Sequence, residues 1–224
     1  MRLLFAHGAG AAGPAAFPAQ AAAFPRASFP VLPGYGDEAP TVGDAARGAH
    51  ELALAGADAD AVVGFSYGGV VALMAAAMEA PRALVLIEPA AFQVARDRPS
   101  CAALIARLEP IYLDATLTDE TFERAMLTAL TGSDPGEART PEQLRSSRRA
   151  RLHGAPWRHP VDASVVGEVP TLVLTGGWNA EYEEVAAALV EHGAEHEVLA
   201  GHGHRVIDHP ECSERIRAFA SAAA

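Results

Sequence analysis

The chain has 224 residues, half of them hydrophobic, with 17 basic against 28 acidic side chains and a formal net charge of −11. That length can bury a core without disulfides or metals, and the acidic balance argues against nucleic acid or an anionic membrane surface as the main partner. No apolar run approaches the ~20 residues that span a bilayer, so no membrane partner is expected.

The start, "MRLLFAHGAG", is too short for the apolar region of a signal peptide, and a cytoplasmic location is expected. Short apolar runs then alternate with longer helical stretches. Residues 2–6, 27–32, 60–65, 83–88, 171–176 and 195–200 read as strands. Most lack polar alternation, as strands buried on both faces of a parallel sheet do. Alanine-rich helices are predicted over 14–24, 42–56, 67–80, 180–192 and 211–222. The pattern predicts an α/β fold: a doubly wound, mostly parallel sheet of about six strands.

One segment breaks the rhythm. From Phe92 to Glu168 the sequence offers helical pieces near 99–108, 118–130 and 141–152 and no clear strand. The expected organisation is a core of residues 1–91 and 169–224 with a helical cap, or lid, inserted at 92–168. The basic run "RSSRRAR", Arg145 to Arg151, reads as a solvated helix face. Cys101 and Cys212 lie far apart with no metal-ligand spacing, and are expected to be reduced and structurally incidental.

The stretch "GFSYGG" sets Ser66 between Gly64 and Gly68, just where a strand ends and a helix begins. The bland alternative is a flexible turn. Strand–turn–helix context instead favours a sharp elbow that lifts a nucleophile to the end of the sheet. A serine nucleophile needs a base. His202 and His204, in "GHGHRVIDHPE", follow the last predicted strand, and His7, in "AHGAG", follows the first.

Taken in order, "HGAG", "LPGYGD", "GFSYGG" and "GHGH…HPE" resemble the oxyanion loop, a glycine turn, the nucleophile elbow and the histidine loop of the α/β-hydrolase family. The resemblance covers nearly the whole chain. The chain starts at the strand leading into His-Gly, which implies a compact member lacking the family's first two strands. The resemblance makes Ser66 the nucleophile and the backbone N–H groups of Tyr67 and Ala9 the oxyanion donors. His7 and Gly8 fall beside the substrate, with His7 bracing the loop and taking no proton. The Gly-x-Gly-His match points to His204 as base over His202, while the spacing to Pro210 does not discriminate.

The acid is the clearest departure, because the family's usual aspartate position holds Asn179. Two carboxylates remain open: Glu88, which closes a buried strand as in some family members, and Glu181. Phe92 and Trp157 are expected to line a small, largely apolar cleft. No metal or organic cofactor is implied, the partner is a small-molecule substrate, and the oligomeric state is left open. The expected function is a serine hydrolase cleaving a carboxylic ester, lactone or thioester through an acyl-enzyme. The alternatives are a C–C bond hydrolase on the same site and a non-catalytic hydrolase-fold binding protein, which the Asn179 departure would favour.

Overall fold

The computed structural model describes residues 1–134, 136 and 140–223. Four aliphatic runs form strands buried along their whole length: β1 (Leu3–Ala6), β2 (Ala61–Phe65), β3 (Leu84–Ile87) and β4 (Thr171–Thr175). With β5 (Glu195–Val198) they make a five-stranded sheet in sequential order, every pair parallel. Successive side chains point to opposite faces, so each apolar strand feeds two cores. Leu4, Val62, Leu86 and Val173 join one core, and Leu3, Phe5, Val63, Ile87 and Leu174 the other.

Helices cover both faces. In chain order α1 is Pro18–Ala23, α2 Asp44–Gly56 and α3 Tyr67–Met78. Between β3 and β4 come α4 (Pro99–Leu113), α5 (Asp119–Thr131), α6 (Pro141–His153) and α7 (Val165–Glu168), with no strand among the described residues. Then follow α8 (Ala180–Glu191) and α9 (Cys212–Ala222). Leu52 of α2, Leu73 of α3 and Leu189 of α8 fill the first core, and Ile216 of α9 fills the second. α3 is apolar nearly all round, as a helix wedged between the sheet and α2 has to be. Among the described residues no helix is long and apolar enough to cross a membrane.

The sheet has five strands where about six were expected, because 27–32 is not one. Ser28 makes a single parallel bridge to Leu4, donating to Leu3 O and accepting from Phe5 N. The next rung would need an N–H from residue 30, and Pro30 has none. Phe29 instead stacks on Phe5, 4.7 Å between ring centroids. At the opposite edge β5 carries Glu195 and Glu197, charges that discourage pairing with another chain.

The helices between β3 and β4 start on caps with legible chemistry. Thr118 and Thr140 each accept from the backbone N–H three residues on, and that residue's side chain returns the bond. α6 is tied to α5 through Ser147 Oγ, which donates to Asp119 O at 2.7 Å, and through the Arg151–Asp119 pair at 2.6 Å.

His7 sets the loop that leaves β1. It is fully buried. Its Nδ1–H donates to Gly8 O at 2.8 Å and its Nε2 accepts from Leu32 N at 3.0 Å. That pattern needs a neutral ring, and burial lowers its pKa to about 4. The unfolded chain therefore binds this proton more tightly than the folded one. The stabilisation is intact above pH about 6.5 and is lost as pH falls toward 4, on the order of 3 kcal/mol in all. An imidazole NMR titration should find His7 still neutral at pH 5, with denaturation midpoints falling below pH 6.

Gly68, in the first turn of α3, is crowded by the end of β1. A Cβ there would lie 2.1 Å from Ala6 O and 2.6 Å from His7 O, both backbone atoms with no freedom to move aside. Gly68→Ala should cost about 3 kcal/mol or more in urea denaturation. A change below about 1 kcal/mol would mean that α3 shifts easily on the sheet.

Candidate active site

The register levels the strand ends. Ala6 is opposite Gly64, Phe65 opposite Ile87, and Ile87 opposite Leu174. His7, Ser66, Glu88 and Gly176 therefore leave the sheet along one line at its carboxyl edge, where parallel α/β sheets bind ligands. Among the described residues, the non-glycine residues with positive φ are Ser66 (55°) and Glu88 (45°). Both sit directly past strand ends and are held there by the sheet. Ser66 N donates to Ile87 O at 2.9 Å, and Glu88 N donates to Leu174 O at 2.9 Å. Strained backbone of this kind needs such support and gathers at functional sites.

Three side chains meet in a hydrogen-bonded row. His204 Nε2 lies 3.0 Å from Ser66 Oγ, and His204 Nδ1 lies 3.2 Å from Glu88 Oε2. A carboxylate can only accept, so Nδ1 carries the proton and Nε2 is left to accept from the serine hydroxyl. Glu88 is fully buried. Its Oε1 accepts from Gly176 N at 2.6 Å, and its Oε2 also accepts from the Trp178 indole N–H at 3.0 Å. These donors offset the desolvation of the carboxylate.

The other residues weighed from the sequence stand apart from this row. His202 is exposed, its ring against His209 at 5.2 Å. Glu181 is half-buried, and no hydrogen bond or ion pair joins its carboxylate to His204 among the described residues. Asn179 is the N-cap of α8, its Oδ1 accepting from Glu181 N at 2.9 Å and Tyr182 N at 3.3 Å. Tyr67 opens α3, so its N–H has no partner within the helix. Neither that N–H nor that of Ala9 is hydrogen-bonded among the described residues.

A cavity of about 740 Å³ opens onto Ser66 and His204. Ala9, Tyr67, Phe92 and Trp157 are in its wall. His7 and Gly8, expected beside the substrate, are not. The His7 ring is locked behind the wall by its two backbone bonds, and Gly8 is buried with its backbone against the elbow. A Cβ on Gly8 would be 3.1 Å from Ser66 Cβ, so the loop passes directly over the serine.

Sequence reasoning overlooked Trp178 and Tyr182. Both line the cavity, and their rings flank His204 at 6.1 and 4.9 Å between centroids. Burial raises the Tyr182 phenol pKa above its ordinary value, with the Glu88 charge adding to it. The available signal was position: Trp178 follows the glycine pair just past β4 and Tyr182 lies in the first turn of α8, at the same sheet edge as the serine.

A family model described as "Alpha/beta hydrolase family" matches residues 3–212. A search of the curated proteins found no match. Among solved structures, NosK from Streptomyces actuosus is 23% identical with a TM-score of 0.66, the alignment covering 99% of this chain and 98% of NosK. MenH from S. aureus is 19% identical with a TM-score of 0.65, covering 100% and 94% of the two chains. A thermophilic esterase from Thermogutta terrifontis is 21% identical with a TM-score of 0.63, covering 100% and 90%. At these identities the likeness speaks to the fold alone, whereas the family match runs over nearly the whole sequence. The chain belongs to the α/β hydrolase family.

Proposed function

We propose that this protein is a serine hydrolase that cleaves a small carboxylic ester, lactone or thioester through an acyl-enzyme on Ser66. The observation that carries the reading is the unbroken hydrogen-bonded row from Ser66 Oγ through His204 to Glu88, set in the wall of a largely apolar cavity. His204 Nε2 takes the serine proton as Oγ attacks the carbonyl carbon, and buried Glu88 stabilises the imidazolium that forms. The Tyr67 and Ala9 N–H groups hold the oxyanion. His204 then returns the proton to the leaving oxygen or sulfur, and the acyl group stays on Oγ. A water gives its proton to Nε2 and attacks the acyl carbon, and Ser66 recovers its proton as the acid departs.

Residues 92–168 act in this reading as a cap on a core of 1–91 and 169–224. Support comes from the cavity wall, to which Leu104, Tyr112 and Trp157 contribute from that segment and Ser66, Tyr182 and His204 from the rest. Trp157 is buried, edge-on to Tyr112 at 5.4 Å.

A broad-spectrum fluorophosphonate should label the protein at Ser66, and Ser66→Ala should lose both the label and p-nitrophenyl esterase activity, by on the order of 10³-fold or more with the fold intact. Unlabelled wild type would sink the nucleophile and leave a binding protein. Glu88→Gln keeps the shape and removes the charge, and its turnover should fall by on the order of 10²–10⁴. Glu181→Gln should stay within about threefold of wild type, since the carboxylate that accepts from His204 Nδ1 is that of Glu88. Trp157→Ala should shift the preferred acyl length across a p-nitrophenyl ester panel. An equal loss on every ester with a sharp drop in melting temperature would instead make Trp157 a core residue only.

A further inference from the structure

Arg149 is the residue at which the basic run on α6 departs from a solvated face. Its neighbours behave as expected there: Arg148 is exposed, Arg145 pairs with Glu142, and Arg151 pairs with Asp119. Arg149 is 8% exposed. Its Nε–H donates to Gly34 O at 2.8 Å, and its guanidinium lies over the Tyr35 ring at 4.2 Å from the centroid. Those contacts fix the plane of the group and leave its two terminal nitrogens without a hydrogen bond among the described residues. No carboxylate there lies within ion-pair distance of Arg149. Asp44 also lies near Gly34, but its oxygens are taken by Thr41, Arg47 and the His153 ring.

A buried cation without a counter-ion is unfavourable, and native proteins pair such groups. The pairing site here is the cavity. Arg149 is in the same wall as Ser66 and His204, with Arg107 nearer the surface. Glu181 supplies the one carboxylate of that wall among the described residues. Among the described residues the wall carries two arginines against one carboxylate, in a protein of net charge −11. A single guanidinium with Nε already engaged presents two parallel N–H donors, and that fork matches the two oxygens of a carboxylate.

Resting on the hydrolase reading above, we propose that Arg149 binds a carboxylate of the substrate, so that the esters or thioesters taken are anionic and carry that charge away from the bond that is cut. The guanidinium then orients the substrate while Ser66 does the chemistry. It also selects against neutral esters of equal length, which would leave the cation buried and unpaired.

The test separates binding from turnover. Glutarate, adipate and suberate, and their dimethyl esters, are titrated calorimetrically into the Ser66→Ala protein. At least one diacid should bind tenfold or more tighter than its own diester. Adding Arg149→Gln, which keeps a donor for Gly34 O, should remove that advantage, and Arg107→Gln should not. In otherwise wild-type protein, kcat/KM is compared for p-nitrophenyl monoesters of the same diacids and their methyl-capped analogues. The anionic-to-capped ratio should exceed tenfold and collapse in Arg149→Gln, mostly through KM.

Equal binding of diacid and diester would overturn the proposal without any Arg149 variant. An advantage lost in Arg107→Gln instead would overturn the assignment. Esters turned over with no preference for the anion would refute the carboxylate site and leave the hydrolase reading standing. Arg149-dependent diacid binding with no turnover of either ester would support the site and refute the hydrolase reading.

Discussion

The carboxylate of Glu88 is buried at the line where four parallel strands stop, and the groups around it are arranged to give it hydrogen-bond donors. A donor comes from each neighbouring element: the Gly176 N–H at the end of β4, the Trp178 indole beyond it, and His204 from the loop after β5. Moving any of these strands by one residue would turn its side chains to the opposite face and separate the groups. The two cores resist such a slip, since Leu4, Val62 and Val173 would have to exchange sides with Leu3, Val63 and Leu172. The register that hides the aliphatic residues is thus the same register that levels Ser66 with Glu88.

Asn179 illustrates how one position can be reassigned. In the commonest family pattern it would carry the acid. Here its amide oxygen caps α8 and sets the angle at which that helix leaves the sheet. The first turn of α8 then brings Tyr182 against the His204 ring and against Phe92, 5.3 Å between centroids. A neutral cap suffices for that work because the charged partner of the histidine already stands one strand away.

Much of this was legible in the sequence, and for definite reasons. Aliphatic runs such as Leu84–Ile87 have few other uses than a buried parallel strand, and the glycines around Ser66 mark a place where backbones touch. Local pattern also indicated the helices near 99–108, 118–130 and 141–152. It did not reveal that Pro30 would end a strand after one bridge, because the missing donor matters only once the partner's rung is known. Nor could it single out Arg149 from Arg148. The two are adjacent on one helix, about 100° apart around its axis, and one is exposed while the other is buried, which is a fact of tertiary packing. Trp178 and Tyr182 were missed on similar grounds, as their contact with His204 spans about two dozen residues of intervening chain.

The chain has only two tryptophans, and both belong to the cavity wall. One is enclosed and the other is about half exposed at the rim, with its indole N–H on the Glu88 carboxylate. The intrinsic fluorescence of the whole protein therefore originates at the site. Any ligand that enters alters the polarity around one emitter or the charge beside the other, and the protein carries its own optical report of whether the cavity is occupied.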